Sequence, residues 1–322
     1  VIAQRPQCVP IICTIDAVKY SKHHPSFRTE AATLPPAIDR LSGLLDRFRV
    51  RAHLFHAGAL CGTTAFDAKP GRAFLHVLRR GELVVTHGNV KGLKRRVVVN
   101  EPTLMLYPRP VAHTFHNPPR DGSDFTCATL DFDGAEHNPL VVALPALVLV
   151  PLDQVDGLQP ALDLLFAETD RVRCGSRLLA DRLFEVVLIQ LLRWLIDHPG
   201  ASGVGSGLIT GLADPRLARL LVALHAAPAE AWPLERMAVQ AGMSRTAFAV
   251  TFKQATGATP AGYLADWRLT LAMSELRAGG LLKAVADAVG YGSATALSKA
   301  FKQRYGVAPR DWRKADQGQH ET

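Results

Sequence analysis

The sequence predicts a multidomain α+β chain. A β-barrel or sandwich with trailing helices comes first, and an all-α domain with two helix-turn-helix units follows. Three observations carry this prediction. Residues from about Val50 to Phe132 form short runs rich in Val, Leu, Phe and Thr, separated by Gly, Asn, Pro and Asp. The apolar period then becomes helical. Last, the stretch AGMSRTAFAVTFKQATGATP (Ala241 to Pro260) is nearly rewritten as VGYGSATALSKAFKQRYGVAP (Val289 to Pro309).

Taken in order, residues 1–36 read as an irregular N-terminal segment. The strand candidates are RAHLFHAGAL, AFLHVLRRGELVV, RRVVVN, TLMLYP and FTCATLDF, bounded by turn residues. Many short strands at such spacing suit a barrel or sandwich. Beyond LVLVPLD come GLQPALDLLFAETD and RLLADRLFEVVLIQLLRWLIDH, with Leu179, Leu183, Val186, Val187, Ile189 and Leu191 at helical spacing. The second helix, about Ser176 to Asp197, is interrupted by only a few polar residues: Asp181, Arg182, Glu185, Gln190 and Arg193. A helix apolar around most of its circumference should be buried on two sides, so a homodimer through its second side is expected, the alternative being burial wholly against its own barrel. In PGASGVGSGLITGLADP, Gly and Ser are too dense for a helix, which marks a linker. The expected divisions are 37–200 (barrel and dimerisation), 201–211 (linker) and 212–322 (helical domain).

At 322 residues the chain can build two cores. The longest apolar stretch, NPLVVALPALVLVPL, is interrupted by Pro145 and falls short of the roughly 18–20 residues of a membrane span. No basic region precedes a long apolar stretch at the start, so no secretory signal is expected. Cys8, Cys13, Cys61, Cys127 and Cys174 are scattered and form no C-x-x-C pair. A reduced, cytoplasmic protein is expected. Net charge is +8, and from Gly211 onward 14 Lys and Arg face 9 Asp and Glu. A basic C-terminal domain on a near-neutral remainder is the footprint of a nucleic-acid partner.

The doubled stretch has internal order. Ser244, Phe252, Lys253, Gly257 and Pro260 recur as Ser293, Phe301, Lys302, Gly306 and Pro309, each 49 residues later. Upstream, LERMAVQAG recurs as LKAVADAVG at a spacing of 48, so the second copy has one extra turn residue. Each unit reads as a short helix, a turn at Gly242 or Gly290, and a second helix opened by a Ser N-cap. Ala238 and Ala286 are small where the helices cross. Phe248 and Phe252, or Leu297 and Phe301, anchor the second helix at i and i+4. This is a helix-turn-helix, whose second helix can enter the major groove of DNA; the alternative is a helical repeat used for protein contact, for which two copies are few.

Residues 212–313 resemble the DNA-binding domain of the AraC/XylS family of bacterial transcription regulators. The resemblance rests on LERMAVQAGMSRTAFAVTFKQATGATPAGYLADWRLTLAMSEL and VADAVGYGSATALSKAFKQRYGVAPRDWR. It implies two helix-turn-helix subdomains joined by a long helix, here about Pro260 to Leu276, reading successive major-groove segments of promoter DNA. The outward positions Arg245, Thr246 and Ala249 of the first recognition helix are its expected base readers. Ala294, Thr295, Ser298 and Lys299 are those of the second. Ser244, Lys253, Ser293, Lys302 and Arg304 are expected on phosphates. RNA polymerase is an expected partner.

His76 lies in FLHVLRRGELVV and His113 in LMLYPRPVAHTFHN. With the strand pattern around them, they resemble the cupin-type N-terminal domain of AraC-family regulators, over about 37–200. No cofactor is required by that resemblance, and a small-molecule effector is an expected input. Two imidazoles could hold a metal ion with a third group such as His53, His56, His87 or His116, or could be hydrogen-bonded in the barrel. A metal-dependent cupin oxygenase or isomerase is the rival class, but Leu78 stands where an H-x-H pair needs its second histidine. The expectation is therefore a regulator and not an enzyme. Cys61 and Cys127, on strands flanking the histidine strands, read either as a redox pair or as small buried hydrophobes.

Overall fold

The computed structural model describes residues 38–118 and 122–320. The segment 1–36 lies outside the described residues. A short helix α1 (Ser42–Arg47) leads into β1 (Val50–Leu60), β2 (Thr63–Phe66), β3 (Arg72–Arg80), β4 (Leu83–His87) and β5 (Arg96–Val99). Then come β6 (Thr103–Tyr107), β7 (His113–His116), β8 (Ser123–Phe132), helix α2 (Pro139–Ala143) and β9 (Val148–Pro151). One sheet runs β1-β8-β3-β6-β9 and the other β2-β7-β4-β5. Every pair is antiparallel.

Strand β3 shows why AFLHVL reads as a continuous apolar run. Ala73, Leu75 and Val77 join the cluster under the helices, whereas Phe74 and Leu78 belong to clusters of the barrel interior. Both faces are covered, so nothing alternates. In β4 only Leu83, Val85 and His87 are buried, because one face remains open.

Helices α3 (Gln159–Asp170) and α4 (Ser176–Asp197) pack together and against β1. Strand β1 is a sheet edge, and its backbone N–H groups need partners. Asp181 of α4 supplies one, its Oδ1 accepting from Leu54 N at 2.7 Å. That contact explains a buried carboxylate on an otherwise apolar helix face. Elsewhere on α4, Leu178, Leu179 and Val186 stay exposed.

The linker is more ordered than its composition suggests. A 3-10 turn at Ala201–Gly203 is followed by helix α5 (Leu208–Ala213), where no helix was expected. Leu208, Ile209 and Leu212 are buried, so packing outweighs the poor helix propensity of glycine. Gly211 is needed for closeness: a Cβ there would lie 2.9 Å from Leu221 Cδ1 and 3.0 Å from Thr256 Cγ2.

The remainder is helical: α6 (Pro215–Ala226), α7 (Leu234–Gln240), α8 (Arg245–Thr256), α9 (Pro260–Arg277), α10 (Leu282–Ala288), α11 (Ala294–Tyr305) and α12 (Pro309–His320). One apolar cluster runs from α1 and the outer sheet face through α4, α5 and α6 into α9. Phe48 meets Trp267 edge-on at 5.5 Å. Arg47 donates to Ala226 O at 3.3 Å and Arg40 to Leu212 O at 3.1 Å. No helix among the described residues is long and apolar enough to cross a membrane.

Candidate nucleic-acid interface and barrel pocket

Each recognition helix is built in the same way. Ser244 Oγ accepts from Ala247 N and opens α8, and Ser293 Oγ accepts from Ala296 N and opens α11. Such caps satisfy orphan amides at a helix start. Four residues separate α7 from α8 and five separate α10 from α11, so the extra residue falls in the second turn. Phe248, Phe252, Leu297 and Phe301 are fully buried, which fixes the outward faces.

Arg245, Thr246, Thr295 and Lys299 are exposed on those faces, and Ala249, Ala294 and Ser298 are half-buried beside them. Ser244, Ser293, Lys253 and Lys302 are exposed at the helix ends. Two cations are engaged within the protein. Arg245 pairs with Glu235 at 2.7 Å, and Arg304 Nε donates to Asp266 Oδ1 at 2.7 Å. Both pairs are solvent-exposed, where water screening leaves an ion pair little net worth, so phosphate oxygens can compete for the cations.

In the barrel, the structure brings His76 and His113 together, Nε2 to Nε2, at 3.1 Å. His113 Nδ1–H donates to Val111 O at 2.8 Å, so its Nε2 accepts from His76 Nε2–H. His76 Nδ1 is then a buried acceptor with no partner. Burial lowers the pKa of His113 to about 4. It also takes His76 well below the usual range, helped by the neighbouring His113 and His56. Both rings are neutral at pH 7.

Aromatic rings enclose the pair. Tyr107 stacks on His113 at 4.1 Å, Phe66 stacks on its ring at 4.9 Å, and Phe74 stacks on His76 at 5.6 Å. The Tyr107 hydroxyl donates to His87 Nε2, and His87 Nδ1–H donates to Lys94 O, both at 2.8 Å. At the mouth, a cleft of about 330 Å³ is lined by Phe66, Asp67, Thr86, His87, His113 and Thr114, among others.

The donor set does not fit a metal-cupin centre. A catalytic metal takes three protein ligands, and among the described residues no group of three His, Cys, Asp or Glu could hold an ion. The four third-ligand candidates have other partners. His53 lies 3.3 Å from Asp131, His56 bonds Gly58 O, His87 bonds Tyr107, and His116 bonds Thr86. Among the described residues, the oxygenase or isomerase reading finds no third donor beside the two histidines.

The structure separates the two cysteines. Strand register sets Leu60 opposite Ser123 and His56 opposite Cys127. Cys61 thus lies four to five strand residues from Cys127, roughly 15 Å, whereas a disulfide needs Cα atoms within about 7 Å. A bridge between them is ruled out without rearrangement of the sheet. Burial also pushes the Cys127 thiol pKa well up, the opposite of a reactive thiolate. Cys61 is exposed.

Sequence reasoning missed Tyr107, Phe66 and Phe74 as neighbours of the histidines. Strand parity would have placed Phe74 with His76. The approach of Tyr107 and Phe66 depends on how the two sheets face each other, which no local pattern encodes.

Comparison with known proteins is consistent with this two-part arrangement. Residues 39–197 match the cupin family, and residues 237–315 match a helix-turn-helix domain family. A Streptomyces lividans protein bearing the name of an AraC-like transcription regulator is 32% identical over 305 residues, covering 86% of this chain and 98% of that protein. The HTH-type transcriptional regulator AlkR of Acinetobacter baylyi is 33% identical over 181 residues, 55% of this chain and 58% of that one. The RCS-specific HTH-type transcriptional activator RclR of Escherichia coli is 25% identical over 214 residues, 65% of this chain and 74% of that one.

Proposed function

This chain belongs to the AraC family of transcription regulators, and on that premise we propose that its cupin barrel is the input that resets how α8 and α11 engage promoter DNA. The observation that carries this reading is the single apolar cluster joining the outer sheet face, α1 and α4 to α6 and α9. A change in the barrel that moved α1 would press on Trp267 of the linking helix through Phe48. An input need change the balance of two states by only about 1–3 kcal/mol to alter occupancy severalfold or more.

The ligand chemistry that suits the barrel is small, uncharged and partly aromatic. The neutral His76–His113 pair offers one unsatisfied acceptor within a box of aromatic rings. A charged group would lose its hydration there without a counter-charge. An oxidant input, suggested by the name of RclR, would reach the exposed Cys61 before the buried Cys127. Metal loading is the weakest input, for want of a third donor.

The exposed Leu178, Leu179 and Val186 of α4 support a homodimer, which would present two reader domains to paired sites. RNA polymerase is the partner a promoter-bound regulator of this family would meet. The reading places the protein in the cytoplasm and gives it no catalytic step.

The test is binding of purified full-length protein to a randomised duplex library, followed by affinity on the selected site from 50 to 200 mM salt. Sequence-selective binding that falls steeply with salt is expected, because lysines and arginines release counterions. Phe66→Ala and His113→Phe should then alter the response of promoter output to the inducing condition while leaving affinity of the uninduced protein unchanged. A protein that selects no sequence would refute the regulator reading. Unaltered induction in both variants would remove the barrel as input.

A further inference from the structure

The two turn glycines do different work. Both have positive φ, +65° at Gly242 and +83° at Gly290, as a residue at a helix C-terminus often must. Around Gly242 there is room: a Cβ would find its nearest neighbour, Arg219 Nη2, at 3.9 Å. At Gly290 a Cβ would lie 2.6 Å from Ala229 Cα, 2.9 Å from Ala229 O and 3.0 Å from Arg268 Nη2. Ala229 belongs to the connection between α6 and α7. The turn of the second unit therefore sits directly on the backbone of the first subdomain.

Arg268 of the linking helix α9 fastens that seat. Its Nε donates to Pro228 O at 2.8 Å and its Nη2 to Glu230 O at 2.9 Å, gripping the carbonyls on either side of Ala229. One helical turn is enough to reach the other unit. Two residues earlier on α9, Asp266 accepts from Arg304 of α11 at 2.7 Å. The linking helix thus holds the first subdomain's loop with one side chain and the second recognition helix with another.

We propose that Arg268 and Gly290 are positioning residues that lock the two helix-turn-helix units into one rigid reader, fixing the spacing between the base sets read by α8 and α11. The proposal rests on the reading that both helices engage DNA. It adds that the protein specifies the distance and phase of two short motifs as well as their bases. One inserted base pair shifts the second motif by about 3.4 Å and turns it by about 35° around the helix axis. Two units on a flexible tether would absorb that change. Two units seated backbone to backbone cannot.

The experiment uses the full chain and the duplex it selects from a random library. Affinity is measured on that duplex, on versions with one base pair inserted or deleted between the two motifs, and on a duplex retaining one motif. Wild-type protein should lose roughly tenfold or more on the respaced duplexes, comparable to a mismatched base pair. Arg268→Lys keeps the charge but loses the two-carbonyl fork. It should reduce the spacing penalty to about threefold or less, with one-motif affinity and melting temperature little changed. Asp266→Ala, which frees the opposite end of the lock, should move the penalty in the same direction. Wild-type indifference to spacing, or a full penalty in both variants, overturns the lock. Failure to select any site is a separate result: it removes the DNA reading, and the lock with it.

Discussion

The two helix-turn-helix units share a plan and differ in attachment. In the first, α8 packs against α5 of the former linker, and Thr256 closes on Gly211. The core of this subdomain is continuous with the barrel domain through Phe48 and Trp267. In the second, the turn rests on Ala229 of the first subdomain, and Arg304 is tied to the linking helix. Its ring contact with the barrel domain is His137 on Tyr305 at 5.8 Å. The same Ser cap, turn glycine and aromatic anchor thus serve two units of one continuous core, the first packed on α5 and the second seated on Ala229.

That comparison can be broken or sharpened by experiment. The largest effect is expected at the anchors: Phe252→Ala and Phe301→Ala should each cost about 3–5 kcal/mol in denaturant unfolding. Similar losses would show that the anchors are equivalent despite the different attachments, and a loss under about 1 kcal/mol at either would break the equivalence.

The glycines should behave unequally. Gly242→Ala meets only the strain of positive φ, about 1–2 kcal/mol. Gly290→Ala adds a clash with backbone and should cost several kcal/mol in the same assay. Equal costs would mean that the second turn is not seated on Ala229.

Acid should act on the first subdomain. His225 is buried, stacks on Trp267 at 3.9 Å and bonds Tyr263. Its pKa is lowered to about 3, by burial first and by Arg47 second. The unfolded chain takes up a proton near pH 6.5 that the folded chain refuses until about pH 3. Stability present at pH 7 is therefore lost as pH falls through that window, by about 2 kcal/mol at pH 5 from this residue. Melting temperatures of wild type and His225→Phe between pH 7 and 5 check this: the variant should show the flatter slope.

The smallest effects concern DNA. Lys299→Ala should weaken specific binding by about 1 kcal/mol and relax preference at one base position. Lys302→Ala should weaken binding to all sequences alike and lower the salt slope by about one unit. Base preference unchanged in Lys299→Ala across a randomised site library would remove that residue from the base readers.

Much of the fold was legible because its signals are local. The strand run from Val50 to Phe132, the helix Ser176–Asp197 and the two Ser-capped helices all lie where periodicity and capping residues put them. The exposed faces of α8 and α11 followed from the buried Phe and Leu pairs. The site was less legible. His76 and His113 could be singled out, but their direct contact, the Tyr107–His87 bond and the aromatic box arise from strands brought together across two sheets. The helix α5 was hidden because its Gly and Ser content argues against helix, and only burial of Leu208, Ile209 and Leu212 reverses that.

By itself, then, the sequence determined what depends on neighbours along the chain: element type, the repeat with its extra turn residue, the caps, and the outward positions of the recognition helices. Tertiary structure decided what depends on distance across the chain. It separated Cys61 from Cys127, because antiparallel register turns strand position into distance along the sheet. It paired His76 with His113, with no third donor beside them among the described residues. It also made Gly290 a seat and left Gly242 an open turn, a difference that no repeat alignment could contain, because both positions need the same backbone angle and only one has another backbone against it.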